Sequence, residues 1–546
     1  MFCQSPRHVV LATCLAFVLA APTANAQTTA APIAPKDPLR IDLLGPAQWR
    51  TQFGPTNVGT LLASEAGAAI WKGYVMPFEG MVKNALGLDD AAYAEARARL
   101  LDYGGAITIT FDFDGEDEGL RVAFGPDGRT DLPTLCKDLA TMAARFAGSE
   151  WSDEASAPAK LQIGEEQFVS KPTITGTDPT DQTATFAVSG DAGLNAAHRA
   201  AEPLGAELRA RAGEKALRPP FRMRFDVQAT IAAADGTPDT GTNVMLGIAA
   251  LREFDLSLGA AGPQAQVEAS MRFDGTDRGI FAFLFPDADG LPAIASLRPA
   301  DIAFWKTGRC DFSAIRTVVR SAAEKTGSDA AEIDEQMPPA IFDPQNGLLS
   351  HFTNEYALAS TAQSLEDLEA NQSNFVFAVR IRDHVAFADK WNAARKELGF
   401  TELSSEERDG FVVQRLGGLV AVTTALGPDM LALGYGRDAG DAIDAWIEKA
   451  KDGAWTKSKP PMPQGLSRAA PAGCNGAAEG QVAMVLSQVL AMSSLLPLVV
   501  GNMDLDFDPE EIDVEAVQQL LKAHNLDIAR SLTGYRDGVW RMRVFW

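Results

Sequence analysis

Histidine and serine are the side chains best suited to proton transfer and nucleophilic attack at neutral pH, and here they stand apart in sequence. The chain contains no His-Glu-x-x-His, Gly-x-Ser-x-Gly or Ser-x-x-Lys motif, so neither a metal-bound water nor an activated hydroxyl is indicated. We therefore predict surface or helix-capping roles for the histidines and name no catalytic residue. Those beyond the N-terminal segment are His198, His351, His384 and His524.

The cysteines favour neither a zinc site nor a disulfide framework. Cys3 and Cys14 lie in a predicted signal peptide, which leaves Cys136, Cys310 and Cys474 in the mature chain. Three widely spaced cysteines without a Cys-x-x-Cys pair form no zinc motif, and an odd number permits at most one internal disulfide. Their pairing stays open, and buried thiols are the simpler expectation.

An acidic segment near the C-terminus has the ligand spacing of a calcium loop but the wrong residue at its turn. Asp504, Asp506, Asp508 and Glu515 occupy the first, third, fifth and twelfth positions of such a loop. Pro509 stands where the loop turns with a positive φ, which proline does not adopt. A helix start capped by Asp508 is the favoured interpretation, and no metal site is predicted.

Two glycine-containing turns lie between a predicted strand and a predicted helix, where phosphate-binding loops also occur. They are Gly190-Asp191-Ala192-Gly193 and Gly436-Arg437-Asp438-Ala439-Gly440. Both lack Gly-x-Gly-x-x-Gly spacing and a Lys-Ser/Thr ending. A short turn with an aspartate cap explains each of them, and no nucleotide or other cofactor is predicted.

Carboxylate pairs are the catalytic class that the sequence leaves open. The chain has 72 Asp and Glu residues, and a glycosidase needs only two of them at the right distance. Trp391 and Trp446, which would bind sugars only if exposed, lie on apolar helical stripes and are predicted to belong to the core. A secreted Asp/Glu-dependent hydrolase is therefore an alternative without named residues.

The elements that must position these residues repeat one α/β pattern, in which a Gly-ended helix, paired strands and a helix precede further strands and a closing helix. The first set of predicted strands is Ala106–Phe111, Leu120–Phe124, Phe168–Thr175 and Thr183–Val188. The second set is Glu355–Ala359, Phe375–Val379, Phe411–Leu416, Leu419–Thr424 and Met430–Tyr435, with a helix over Val385–Leu398. In the region between the two sets, alternation predicts strands over Arg222–Ile231, Phe254–Leu258 and Gln266–Phe273.

We predict an α+β fold: two related units of antiparallel sheet covered by helices, a strand-rich middle and a helical C-terminal piece. Polar-apolar alternation in many strands indicates sheets with one face in solvent and helices on the other. The predicted segments are a signal peptide (1–26), a flexible tether (27–48), a first α+β unit (49–215), a strand-rich connecting region (216–295), a second α+β unit (296–453), a linker (454–480) and C-terminal helices with a final strand (481–546).

The N-terminus has the features of a cleaved export signal. Arg7 and His8 precede the apolar run Val9–Ala21, and Ala24-Asn25-Ala26 has the small-x-small pattern of a cleavage site. The run is too short to span ~30 Å of hydrocarbon as a helix. We expect cleavage after Ala26 and a periplasmic or extracellular location.

The composition is that of an acidic globular protein. Of the 546 residues, 46% are hydrophobic and 22% are charged, which excludes disorder for most of the chain. The length favours roughly two to four domains. The formal net charge of −24 and the scatter of Lys and Arg along the chain argue against nucleic-acid binding and against electrostatic docking on anionic lipid.

One segment of the C-terminal piece is apolar enough to suggest lipid contact. Val482–Val500 contains serines, a glutamine and a proline, and its flanks are acidic. A buried helix is favoured over a membrane span because spanning helices carry Lys and Arg at their cytoplasmic ends. We expect no stable membrane insertion, and a lipid- or membrane-associated envelope protein stays an alternative. A second helix is predicted over Val514–Ala523.

The succession of elements resembles an uncharacterised family of large exported bacterial proteins, classed as a domain of unknown function. The shared features are a helical lead-in, a Gly-ended helix, paired strands, an Asp-led helix and strands that close on a Gly-Asp-Ala-type helix start. The best-matching segments are Thr56–Arg145, Leu246–Phe312 and Phe375–Ala450. The resemblance implies the fold and the exported location, and it implies no activity, cofactor or site residue.

These observations favour an exported, non-enzymatic binding or scaffold protein of the envelope or the exterior. Duplication of a whole unit enlarges a surface or forms a cleft. The expected partner is a protein, a polymer or an apolar ligand of unknown identity. The residues carry no signal that distinguishes among these three.

Overall fold

The structure is a computed structural model in which part of the chain is described. The described residues are 39–65, 89–112, 119–136, 160–162, 167–190, 194–211, 219–233, 246–275, 278–299, 303–325, 327, 337–360, 374–417, 421–436, 438–458, 460, 470–482 and 514–546. The predicted signal peptide, most of Val482–Val500 and the calcium-like acidic residues Asp504, Asp506 and Asp508 lie outside them. Within the described residues, no helix is both long enough and apolar enough to cross a membrane.

The chain divides into two compact units. The N-terminal unit takes its described residues from 39–233 and 253–269, and the C-terminal unit takes its own from 246–252 and 270–546. Both units combine α-helices with antiparallel strands, so the fold is mixed α and β as predicted. Each unit is described by itself below.

The N-terminal unit is built on a central antiparallel sheet. Its strands are β1 (Leu39–Leu44), β2 (Ala106–Asp112), β3 (Gly119–Phe124), β4 (Lys160–Gln162), β5 (Gln167–Ser170), β6 (Thr173–Thr175), β7 (Thr183–Gly190), β8 (Phe221–Asp226), β9 (Leu251–Ala261) and β10 (Gln264–Phe273), of which 253–261 and 264–269 belong to this unit. Its helices are α1 (Pro46–Phe53), α2 (Asn57–Leu62), α3 (Asp90–Asp102), α4 (Leu194–Ala210) and α5 (Val227–Ala233).

Strand neighbours in this sheet follow the order β9–β8–β1–β2–β3–β7. Strands β5 and β6 pair with different parts of β7, and β4 pairs with β5. Strand β1 lies within the segment predicted to be a flexible tether, yet it pairs with β2 on one side and β8 on the other. It is ordered because both of its backbone edges are hydrogen-bonded, a long-range effect that its Pro- and Ala-rich surroundings do not reveal.

Apolar residues cover both faces of the N-terminal sheet. Val122 packs with Tyr103 and Phe124 on one face. Ala123, the next residue along β3, packs with Leu204 and Leu208 of α4 on the other. Successive side chains of a strand point to opposite faces, so the sheet lies between two apolar layers.

The C-terminal unit contains a longer antiparallel sheet. Its strands are β11 (Phe304–Arg309), β12 (Phe352–Ser360), β13 (Phe375–Ile381), β14 (Thr401–Arg408), β15 (Phe411–Gly417), β16 (Val422–Leu426), β17 (Met430–Tyr435), β18 (Cys474–Gln481), β19 (Ile528–Arg536) and β20 (Val539–Phe545). Its helices are α6 (Ile280–Leu284), α7 (Ala314–Lys325), α8 (Pro339–Phe342), α9 (His384–Glu397), α10 (Ala439–Ala450) and α11 (Val514–Ala523), with 3₁₀ helices η1 (Ala293–Leu297), η2 (Leu348–His351) and η3 (Ala454–Lys457).

Strand neighbours in this sheet follow the order β20–β19–β18–β11–β12–β13–β17–β16–β15–β14. The stretch β19–β18–β11–β12–β13–β17 has the same order as β9–β8–β1–β2–β3–β7 of the N-terminal unit. In each unit a helix follows the last strand of this stretch. In the N-terminal unit α4 lies between β7 and β8 in the chain, and in the C-terminal unit α10 lies between β17 and β18.

Both faces of the C-terminal sheet are also apolar, so the expectation of one face in solvent is wrong for this unit. Trp446 of α10 packs with Ala378 and Ala432. Trp391 of α9 packs with Val379 and Leu431, which are the next residues on the same two strands. The expectation failed because the residues on one side of these strands are alanines. Alanine is small and only weakly apolar, so these positions look like a solvent-facing side in the sequence.

Local capping explains several element boundaries. Asp89 accepts a hydrogen bond from the Ala92 N–H at the start of α3, and Asp383 caps α9 in the same way. Asp438 stands at the N-cap of α10 without a side-chain hydrogen bond to the helix, so the aspartate cap predicted there is wrong. Its backbone N–H instead donates to the Asn374 side chain.

Two further predictions are corrected by the structure. The predicted strand over Arg222–Ile231 ends at Asp226 and continues as α5, because the Asp226 carboxylate caps that helix by accepting from the Ala229 N–H. The predicted linker 454–480 contains η3 and most of β18. The small residues of β18 are required by packing: a Cβ on Gly476 would lie 2.3 Å from the Thr533 hydroxyl oxygen.

Candidate functional site

The densest set of charged side chains in the described part of the N-terminal unit lies on the sheet face covered by α4. We call it the Arg40 network, and it consists of Arg40 and Asp42 (β1), Arg222 and Arg224 (β8), Asp255 (β9) and Glu207 (α4). The strand register places Arg40 opposite Arg224 and Asp42 opposite Arg222. Alternate residues of neighbouring strands thus face the helix together.

The contacts in the Arg40 network are short and mostly bidentate. The Arg40 guanidinium donates to both carboxylate oxygens of Glu207, at 2.7 and 2.8 Å, and to both oxygens of Asp42, at 2.9 to 3.1 Å. Arg224 donates to Asp42 at 3.0 Å, and Arg222 holds Asp255. Bidentate arginine–carboxylate pairs are the strongest and most directional ion pairs in proteins.

The same contacts keep the carboxyl groups ionised. Burial by itself would raise the pKa of Asp42, but the charge and hydrogen bonds of Arg40 and the charge of Arg224 outweigh it, so the pKa is lowered. Burial and Arg40 act on Glu207 in the same way, and its pKa is also lowered. Neither group is therefore a proton donor at neutral pH, which a general acid must be.

A second cluster of charges lies in the C-terminal unit at the ends of three adjacent strands. We call it the Glu355 triad: Arg309 of β11, Glu355 of β12 and Arg380 of β13. Both arginines donate to the same carboxylate oxygen of Glu355, Arg309 at 3.4 Å and Arg380 at 3.2 Å. The other oxygen accepts from the Ile294 N–H at 3.3 Å. These contacts are longer than ordinary charge-assisted hydrogen bonds.

The C-terminal unit also contains an ion-pair cluster at strand β18. Glu479 accepts from Arg298 at 2.7 Å and from Arg530 at 3.3 Å. Its carboxylate is therefore occupied on both oxygens, and the cluster fastens β18 to β19 and to the segment after η1.

One serine–histidine pair occurs in the N-terminal unit. The Ser170 hydroxyl lies 2.7 Å from His198 Nδ1, and the Thr173 hydroxyl lies 2.8 Å from Nε2. Ser170 also accepts a hydrogen bond from the Ala187 N–H and is buried. Partial burial lowers the pKa of His198, although Glu202 acts against it. A catalytic serine must present its hydroxyl to a substrate, whereas this one ties β5 to β7 and α4.

Cys136, Cys310 and Cys474 are free thiols. Cys136 and Cys310 are buried and Cys474 is half-buried. Burial raises the pKa of Cys136 and of Cys310 to about 12 and that of Cys474 to about 11. Since the thiolate is the reactive form, all three are poor nucleophiles and poor metal ligands at neutral pH.

The other residues considered from the sequence are not brought together. His384 is the first residue of α9, His351 ends η2, and His524 directly follows α11. Trp391 and Trp446 are core residues, as predicted. Among the described residues, no three His, Cys, Asp or Glu side chains are arranged as metal ligands.

Sequence reasoning missed all three arginine clusters. A signal was present: Arg40-Ile41-Asp42 and Arg222-Met223-Arg224 place charges at alternate positions of short strands that are otherwise apolar. Charges at period two lie on a single face of a strand. Which strands are neighbours is needed before such charges can be assigned to one cluster.

The chain was compared with protein families, with curated proteins and with solved structures, and it matches none of them. The argument for function therefore depends on the residues of the chain alone.

Proposed function

We propose that this chain is an exported, non-enzymatic protein of the envelope or the exterior that binds a partner or serves as a scaffold. The observation that carries the proposal is the state of its reactive groups. Asp42 and Glu355 are held by two arginines each, His198 is held between two hydroxyls, and the thiols have raised pKa values. Side chains that are held in internal contacts stabilise the fold and are not available to react with a substrate.

The two-unit construction supports the same proposal. The order of six strands is the same in both units, and a helix stands at the same place in that order. The two units have no reactive group in common at matching positions. Their duplication therefore provides additional surface, which suits recognition of a large or repetitive partner. On this proposal the chain contains an internal repeat, and its resemblance to exported proteins of unknown function extends to both units.

Export is tested on the full chain. Expressed in a bacterial host with a periplasm, the protein should appear outside the cytoplasm with Gln27 as its first residue. A chain that stays in the cytoplasm with Met1 intact would refute the exported location. A variant with Val9 and Leu11 changed to Asp should be retained, because the apolar run is what the export machinery binds.

The absence of catalysis is tested on the mature protein with panels of glycoside and peptide substrates. We expect no turnover above that of a heat-denatured sample. Reproducible turnover that Glu355→Gln or Asp42→Asn abolishes, in variants that keep the wild-type far-UV circular dichroism, would replace the proposal with an Asp/Glu-dependent hydrolase.

A liposome flotation assay tests the lipid-associated alternative. We expect the mature protein to remain in the soluble fraction.

A further inference from the structure

We propose that Arg309 and Arg380 form a binding site for a small oxyanion, a carboxylate or phosphate group, at the ends of strands β11 and β13. Glu355 lies between the two arginines and holds them apart as a fixed pair. The inference deepens the proposed binding function by naming a ligand class, and it rests on that function only in taking the ligand to be bound unchanged.

The first argument is charge. The Glu355 triad has two guanidinium groups and one carboxylate, so it carries one uncompensated positive charge. The Arg40 network offers a comparison within the same chain. There, Arg40, Arg222 and Arg224 meet three carboxylates, each carboxylate has a short contact, and the more exposed Arg211 also contacts Glu207. A partly buried cluster with an excess charge attracts a counter-ion, because little solvent is present to screen it.

The second argument is the number of unused donors. A guanidinium has five N–H groups. Arg309 uses Nε on the Gly290 carbonyl and Nη1 on Glu355, and Arg380 uses Nη1 on Glu355. Nη2 of Arg309, and Nε and Nη2 of Arg380, have no hydrogen-bond partner among the described residues. These three nitrogen atoms carry five N–H groups, which match the several acceptor oxygens of a carboxylate or phosphate.

The third argument is position. The Arg309 and Arg380 side chains are 22% and 27% exposed, whereas Glu355 is 7% exposed. Solvent therefore reaches the arginines more readily than the carboxylate that fixes them. The Arg380 guanidinium also lies over the buried ring of Trp455, 5.7 Å from its centroid, which restricts its motion. A pair of arginines held in place loses less entropy on binding than a free pair.

The nearest alternative is a purely structural triad, in which the two arginines serve only to neutralise Glu355. Asp42 and Glu479 are also held by two arginines each, but there both carboxylate oxygens accept from arginine, and a purely structural triad does not explain why only one oxygen of Glu355 does. It also leaves the long 3.2 and 3.4 Å contacts unexplained, because both arginines share a single oxygen. The two interpretations differ in what they predict for an added anion.

The experiment uses isothermal titration of the mature protein with inorganic phosphate and, separately, with acetate, at ionic strength held constant with sodium chloride. We expect saturable binding of at least one anion with a Kd of about 1 mM, as for a small ligand held by a few charged hydrogen bonds. The stronger binder identifies the natural group as a phosphate or a carboxylate. No saturable binding of either anion would overturn the proposal.

Variants separate a specific site from general charge effects. Arg380→Gln should weaken binding about tenfold or more, because it removes charged hydrogen bonds, and Arg380→Lys should weaken it less while keeping the charge. Arg252→Gln is the matched control: Arg252 belongs to the same unit, is exposed and pairs with Asp274 at a different place. Equal weakening in the control would overturn the site.

Glu355→Gln distinguishes the two interpretations. Gln keeps a side-chain oxygen that accepts from the arginines but removes the negative charge that repels an anion, so Glu355→Gln should tighten anion binding several-fold. A structural triad predicts no anion binding before or after the substitution. Circular dichroism at the binding temperature establishes that each variant is folded. Failure of anion binding would leave the export and turnover results unaffected, so this inference and the proposed function fail separately.

Discussion

The two units place the same strands in the same order but fill the space under their helices differently. To match positions, we use the backbone hydrogen bond directly after β1 and the one directly after β11: the Gly45 N–H donates to Gly105 O, and the Cys310 N–H donates to Asn354 O. Gly45 then corresponds to Cys310. It follows that Arg40 corresponds to Trp305 and Asp42 to Thr307.

The strand registers extend this correspondence. Arg40 is opposite Thr110 and Arg224, and Trp305 is opposite Ala359 and Glu479. In the next row, Asp42 is opposite Thr108 and Arg222, while Thr307 is opposite Ala357 and Ala477. On β1 and β2 the N-terminal unit therefore has Arg40, Asp42 and threonines where the C-terminal unit has Trp305, Thr307 and alanines. The position of Arg224 stays charged, because Glu479 stands there and pairs with Arg298 and Arg530.

The ends of the same strands show the opposite exchange. Arg309 and Glu355 of the Glu355 triad correspond to Leu44 and Ala106, which are apolar and buried against α4. Polar and apolar residues have thus changed places between the centre and the end of the matched strands. A sheet–helix interface needs filled volume and satisfied polar groups, and either filling supplies both.

The two fillings have different energetics. Apolar side chains stabilise by leaving water, at about 25 cal/mol per Å² of apolar surface. Buried ion pairs recover the cost of desolvation only when every partner is present. The C-terminal interface should therefore depend on volume, and the N-terminal interface on completeness of the network and on pH.

Trp446→Ala should lower the free energy of unfolding of the C-terminal unit by about 3–5 kcal/mol, because it leaves a large cavity under α10. Trp446 is 1% exposed. Urea denaturation followed by far-UV circular dichroism measures the change. Val385→Ala, on an exposed position of α9, is the control and should change stability by less than about 0.5 kcal/mol. A loss below about 1 kcal/mol for Trp446→Ala would mean that the interface does not depend on volume.

Asp42→Asn should destabilise the N-terminal unit by about 2–3 kcal/mol, because it removes the charged partner of Arg224 and leaves Arg40 with Glu207 alone. The estimate is at the lower end for a broken buried pair because the Asp42 side chain is 23% exposed. The same urea titration measures it. Asp102→Asn removes the exposed partner of Arg50 and should have no measurable effect. Equal effects of the two substitutions would contradict the importance of the network.

Acid should loosen α4 before it loosens α10. The pKa values of Asp42 and Glu207 are lowered by folding, so their stabilisation is complete above their unfolded pKa values, about 3.9 and 4.3, and is lost as the pH falls below them. Hydrogen exchange with correction for the intrinsic rate measures protection in each helix between pH 6 and 3. Simultaneous loss of protection in α4 and α10 would show that the ion pairs do not distinguish the two units.

Lys451→Gln should leave both the stability and its pH dependence unchanged. Lys451 pairs with Glu448 at the exposed end of α10, and water screens an exposed pair. Thermal unfolding of the variant beside the wild type at low and high salt is the measurement. A salt-dependent shift would show that the charges around α10 matter more than its apolar face.

Much of the local structure could be predicted from the sequence. Strands β2, β3, β12, β13 and β17 and helices α9 and α11 lie where alternation and helical spacing place them. Strand β14 was missed because every residue from Thr401 to Glu407 is exposed, so it has no apolar alternation. Strand β19 was missed because Ile528–Arg536 mixes charged and small residues on both faces.

The candidate sites could not be predicted because their members are far apart in sequence. Asp42 and Arg224 are 182 residues apart, and Arg40 and Glu207 are 167 residues apart. No local pattern connects such pairs. In the Glu355 triad, the arginines lie on strands β11 and β13, which become neighbours of Glu355 only when β12 is placed between them.

The sequence by itself determined the position of many helices and strands and that Trp391 and Trp446 belong to the core, because these properties depend on spacing within a few residues. Only the tertiary structure decided which strands are neighbours. It also decided which charges neutralise one another and which are left with an excess. The physical reason is that pairing across a sheet depends on register between distant segments, and a shift of one residue would turn Arg40 and Asp42 to the other face.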